Sequence, residues 1–254
     1  MSDANESIFD RVVVGVDGSE AGFEACRQAA RLATETTAID AVLVRPPSAP
    51  EPARAPGAGA GWDPDDALAR ALQILGGHAR AHRLDGFAAP ALLAELRRFE
   101  ATLVVLGTHG HGRLAEIVFG GVAGEILHQA PSSVLVARRC LDERFPHRIV
   151  VGHDGSAPSD AALAVADALA RRFQSSISVI TALAGQVADP THLPGHDRHI
   201  VAQHPVVALV EAARDADLLV VGSRGLHGVK ALGSVSERVA HDAVCSVLVV
   251  RGRP

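Results

Sequence analysis

Short uninterrupted apolar runs alternate along this chain with stretches whose apolar residues recur every three to four positions. The runs at Arg11–Val16, 103–106 and 134–137 predict strands buried on both faces, as in a parallel sheet covered by helices. The periodic stretches predict helices over 23–34, 64–82, 122–129 and 160–173. Ser19 and Ser156 stand at N-cap positions ahead of two of them. Leu92, Leu93, Leu96 and Phe99 make one buried stripe of a further helix. Pro90 and Pro205 fall in register at the first turn of such a helix, where a missing N–H is tolerated. Third strands are expected at 84–88 and 199–202. Strands alternating with helices, joined by right-handed crossovers, predict a doubly wound α/β sheet.

The pattern occurs twice. Val12-Val13-Val14-Gly15-Val16-Asp17-Gly18-Ser19 matches Ile149-Val150-Val151-Gly152-His153-Asp154-Gly155-Ser156 at six of eight positions. Leu103-Val104-Val105-Leu106-Gly107-Thr108-His109-Gly110 repeats as Leu218-Leu219-Val220-Val221-Gly222-Ser223-Arg224-Gly225. Ser133-Val134-Leu135-Val136-Ala137-Arg138 repeats as Ser246-Val247-Leu248-Val249-Val250-Arg251. The chain is a tandem duplication, with domains expected at 1–140 and 147–254. The offset falls from 137 to 113, so the second copy is 24 residues shorter, mostly in its middle. Residues 46–61 hold five prolines and three glycines, a composition that builds a surface loop and not a core.

Composition narrows the function classes. With 254 residues, 48% hydrophobic and 21% charged, the chain supports two small cores, which excludes wholesale disorder. No apolar run approaches the ~18 residues of a membrane span, and the acidic start Met1-Ser2-Asp3 is the wrong flank for a secretory signal. Cys26, Cys140 and Cys245 are scattered and odd in number, so a cytoplasmic location is expected. A net charge of −5 speaks against nucleic acid as a partner, and neither nucleic acid nor membrane is expected.

Candidate chemistry lies at the carboxyl ends of the strands, where open parallel sheets bind ligands. The turn Gly15-Val16-Asp17-Gly18-Ser19 places a carboxylate at the tip of the first strand. The turn Gly107-Thr108-His109-Gly110-His111-Gly112-Arg113 leads to Gly120-Gly121 ahead of a helix. Glycines let the backbone approach an anion, and a helix N-terminus offers N–H groups at its positive end. The same glycines equally serve two tight turns, and the residues alone leave both readings open. A P-loop is absent, because the only lysine, Lys230, sits between Val229 and Ala231; the strand-one turn carries no dinucleotide-binding G-x-G-x-x-G.

On these motifs the chain resembles the universal stress protein family, in tandem two-domain form, over nearly its whole length. The resemblance implies a five-stranded parallel sheet ordered 3-2-1-4-5 and a stress-response regulatory protein. It also implies ATP, with or without Mg²⁺, bound in the crevice between strands one and four. That family's nucleotide-binding branch carries G-x2-G-x9-G followed by Ser or Thr. Here Gly107, Gly110 and Gly120 match, and Gly121 replaces the hydroxyl residue. By resemblance the ligand would also meet Gly15, Leu106 and Val122, with Asp17 facing adenine or ribose, Val44 and Arg45 offering backbone groups to the base, and His109, His111 and Arg113 adding positive character. The second copy keeps Asp154, Gly233 and Ser234, but only seven residues separate Gly225 from Gly233, so its cradle is expected to be empty or repurposed. The last strand of each copy would be a bare sheet edge; in the family such strands pair across a dimer, which a tandem chain would satisfy as an internal pseudo-dimer, with homodimerisation left open.

No catalytic constellation is expected, and slow hydrolysis of bound ATP stays open. One alternative is a nucleotide-free scaffold acting on an unknown protein partner. Another is a metal-dependent hydrolase built on His192, His196, His199 and His204 with Asp189 and Asp197, against which Pro194 and Gly195 break any aligning helix.

Overall fold

The computed structural model describes residues 7–46, 63–108, 120–140, 144–182, 196–223 and 233–252. The chain divides into two compact units, Phe9–Arg138 and Arg139–Pro254, the latter with Met1–Ile8.

In the first, β1 (Arg11–Val16), β2 (Ala38–Arg45), β3 (Ala79–Asp85), β4 (Leu103–Gly107) and β5 (Ser133–Ala137) are parallel and ordered β3-β2-β1-β4-β5. The helices are α1 (Glu20–Leu32), α2 (Pro64–Leu75), α3 (Ala88–Arg98) and α4 (Gly121–Gln129). The central strands are buried on both faces: Val12, Val13, Val14, Leu103, Val104 and Val105 have no exposure. Reversal of winding between β1 and β4 opens a crevice at their carboxyl ends.

The second unit has β6 (Arg148–Gly152), α5 (Ala157–Phe173), β7 (Ser176–Ala182), β8 (Asp197–Val201), α6 (Pro205–Ala212), β9 (Leu218–Gly222), α7 (Ser234–Asp242) and β10 (Ser246–Val250). Its order, β8-β7-β6-β9-β10, repeats the first, without a described counterpart of α2.

The local signals explain most boundaries. Ser19 caps α1 by accepting from the Gly22 N–H, and Ser156 caps α5 by accepting from Ser159. Asp63 caps α2 ahead of Pro64. Three expectations need correction. The helix expected over 64–82 ends at Leu75, because Gly76 takes φ +86° and stops it. The third strand is then Ala79–Asp85, not 84–88: it is an exposed sheet edge, Ala-Arg-Ala-His-Arg-Leu-Asp, with no apolar run to announce it. Its anchor is His82, whose Nε2 lies 2.8 Å from Oδ1 of the buried Asp40 on β2. Finally, Pro90 and Pro205 are not equivalent. Gly15 faces Leu92 and Gly152 faces Leu209, which aligns Pro205 with Ala88 as the first helical residue.

Cys26 is fully buried on α1, and loss of solvation pushes its thiol from an ordinary 9.0 up to about 12, outweighing the neighbouring Arg27 guanidinium. It is therefore a core residue without nucleophilic character at neutral pH. Since the unfolded thiol ionises first, the unfolded state binds fewer protons above pH 9 and stability falls there as pH rises, by up to ~1.4 kcal/mol per unit. Denaturant unfolding of wild type and Cys26→Ala between about pH 8 and 11 checks this; the variant loses that part of the slope.

Candidate functional site

The site begins where β1 ends. Gly18 takes φ +80°, which turns the chain sharply toward α1. In that turn Asp17 Oδ1 accepts from the Ser19 N–H at 2.9 Å and the Ser19 hydroxyl at 2.7 Å. The Ser19 Oγ in turn accepts from the Gly22 N–H at 3.0 Å. Asp17 is thus oriented at the strand tip by the same bonds that cap the helix. A Cβ on Gly22 would collide with Asp17 Oδ1, so Gly22 is part of the arrangement although no sequence motif marked it.

The tip of β4 lies directly against the first turn of α1. A Cβ on Gly107 would sit 2.6 Å from the Ala21 carbonyl carbon and 2.9 Å from the Gly22 nitrogen, distances only glycine permits. The Thr108 carbonyl accepts from the Gly120 N–H at 2.9 Å and brings the start of α4 back to that tip. Gly120 caps α4 without a side-chain bond, and among the described residues nothing accepts from the N–H groups of Gly121, Val122 and Ala123. A Cβ on Gly121 would meet nothing within 4 Å. The helix therefore presents bare amides and the positive end of its dipole to open space.

Facing these amides is an apolar wall, Val42 and Val44 from β2 with Ala88 and Leu92 from α3. The hollow between them measures about 230 Å³. Of the expected positions, Gly15, Asp17, Val44, Leu106, Gly107, Gly120, Gly121 and Val122 line it. Arg45 does not: its carbonyl, expected to face the base, accepts from the Gly86 N–H at 2.8 Å, and its Nε donates to Asp85 Oδ1 at 2.7 Å, a bond that holds the Asp85 carboxyl below its usual range. Gly110, with His109, His111 and Arg113, lies outside the described residues. Val42, Ala88, Leu92 and Gly22 were not legible as site residues, since they carry no polar group and meet the hollow only through packing.

The second unit has a hollow at the equivalent place, about 370 Å³, lined among others by Gly152, Asp154, Gly222, Gly233 and Ser234. The turn between Ser223 and Gly233 lies outside the described residues; a repurposed site is what the expectation for this half allows. Its lining is altered: His153 replaces Val16, Ser236 replaces Ala123, and His204 joins the lining, whereas the equivalent Phe87 is not part of the first. His153 is engaged on both nitrogens, with Asp160 Oδ1 at 2.9 Å and the Gly155 N–H at 3.3 Å.

The proposed histidine cluster does not assemble among the described residues. His196 pairs with Asp167 at 2.7 Å, His199 with Asp197 at 3.3 Å, and His204 caps α6. His192 and Asp189 lie outside the described residues. No group of three metal-ligating side chains occurs among those described, and none of the described helices is long and apolar enough to cross a membrane.

Comparison with known proteins gives the following. The model of the universal stress protein family matches residues 8–138 and 192–251. Universal stress protein Rv2623 of Mycobacterium tuberculosis is 30% identical, with 99% of each chain covered. Universal stress protein Rv2005c of the same organism is 32% identical over 60% of this chain, and the match spans 62% of that relative's length. In fold, a universal stress protein from Archaeoglobus fulgidus superposes with a TM-score of 0.72 at 18% identity, over 96% of this chain and 99% of its own.

Proposed function

This chain belongs to the universal stress protein family, and from that premise we propose that its N-terminal half binds an adenine nucleotide, ATP, as the signal of a stress-response regulatory protein. One observation carries the reading. The uncapped start of α4, with open space at Gly121, faces the apolar wall of Val42, Val44 and Leu92 across a hollow at the β1/β4 switch point. Bare amides and a helix dipole suit phosphates; two valines and a leucine suit a flat base. Asp17, held between the two walls, suits ribose hydroxyls as their acceptor.

Binding and not turnover is the role this arrangement favours. Asp17 Oδ1 accepts two bonds from Ser19, the cap of α1, and the Cys26 thiol is buried and protonated. ATP bound between Asp17, the β4 tip and the start of α4 is what a partner protein would sense.

The test is twofold. Mass spectrometry of small molecules retained by the freshly purified chain should show an adenine nucleotide. Calorimetric titration with Mg-ATP should show one site in the N-terminal half. Absence of both retained nucleotide and binding heat would favour the ligand-free scaffold instead.

A further inference from the structure

We propose that Phe87 selects a flat aromatic base in the first hollow by stacking on it from the rim; this rests on the nucleotide reading above. Phe87 is 73% exposed, the most exposed of the large apolar side chains described. It occupies the N-cap of α3, where Ser, Thr, Asp and Asn are favoured, and it supplies no capping bond. Its ring contacts no other aromatic ring and no guanidinium among the described residues. Exposure of one apolar ring is by itself ordinary; what distinguishes Phe87 is where it stands.

Its place points to the hollow. The next residue, Ala88, lines it. The preceding Gly86, at φ +143°, donates its N–H to the Arg45 carbonyl at 2.8 Å, which ties the turn to the end of β2 beside the wall residue Val44. Val122, also exposed, lines the hollow from α4. The duplication gives an internal check. With Leu92 equivalent to Leu209, the counterpart of Phe87 is His204, and His204 lines the second hollow. Phe87 itself stands just outside the lining of the first hollow, next to Ala88; turned toward the mouth as His204 is in the second, its ring would offer a planar heterocycle an aromatic face that the aliphatic wall lacks.

Calorimetry with Mg-ATP and with inorganic triphosphate, on the full chain and its variants, tests this. Phe87→Leu keeps an apolar side chain but removes the aromatic face; it should weaken ATP about tenfold and leave triphosphate unchanged, while Phe87→Tyr retains ATP affinity. In a Trp62→Phe background, which removes the chain's single tryptophan, Phe87→Trp should report ATP by a change in its emission, and triphosphate should not produce it. Unchanged ATP affinity in Phe87→Leu, or an equal loss for ATP and triphosphate, overturns the proposal while the nucleotide reading stands. A wild-type chain that binds no ATP removes both.

Discussion

Gly121→Asp leaves the chain folded and abolishes its affinity for Mg-ATP, a loss of at least ~100-fold. The position is the first residue of α4, and a side chain there meets no neighbour within 4 Å. A carboxylate at a helix N-terminus satisfies orphan N–H groups and stabilises by ~0.3–1 kcal/mol, so the melting temperature should hold or rise. The same carboxylate occupies the amides a phosphate would use. At ~4 Å it repels a phosphate charge by about 4 kcal/mol in a surface environment, and that is the larger effect. Gly121→Ser works in the opposite sense. It restores the hydroxyl expected from the family motif, in space that is already open, and should tighten ATP about tenfold through one bond to a charged oxygen. Titration calorimetry beside thermal melts separates these outcomes. An aspartate variant that binds ATP as the wild type does would show that the phosphates do not lie at α4.

Gly107→Ala lowers the melting temperature by roughly 10 °C, equivalent to about 3 kcal/mol. The added methyl would stand 2.6 Å and 2.7 Å from the carbon and oxygen of the Ala21 carbonyl. These are backbone atoms of a helix packed on the sheet, so they cannot rotate aside as a side-chain end would. The same close approach recurs in the second half, where a Cβ on Gly222 would collide with the Pro158 carbonyl. Gly222→Ala should therefore cost a similar amount, and Gly121→Ala, with open space around it, almost nothing. Differential scanning calorimetry of the three variants checks the series. A Gly107→Ala chain as stable as the wild type would mean that the β4 tip and α1 do not meet as closely as described. Nucleotide affinity should fall with Gly107→Ala as well, because the shift moves Thr108, whose carbonyl positions the start of α4.

Arg11–Val16 could be read as a strand to the residue, because a strand buried on both faces needs an unbroken apolar centre and Val12-Val13-Val14 shows that directly. Ser19 and Ser156 marked helix starts for an equally local reason: a short oxygen-bearing side chain satisfies an N–H three residues away. Ala79–Asp85 could not be read so. An edge strand has only one neighbour, exposes most of its side chains, and takes its stability from partners such as Asp40, 42 residues away, beside His82.

The candidate site divides along the same line. Asp17, Gly107, Gly120 and Gly121 were visible in the primary structure, because tight turns and uncapped helix starts demand particular residues within a few positions, and the duplication displayed those demands twice. The apolar wall of Val42, Val44, Ala88 and Leu92, the diversion of Arg45 to Asp85, and the outward ring of Phe87 emerged only from the folded chain. The wall residues belong to β2 and α3, more than 40 positions apart along the backbone, and nothing local distinguishes a valine facing ligand space from one facing the core. Packing across the sheet decides that, and packing is a property of all the elements at once.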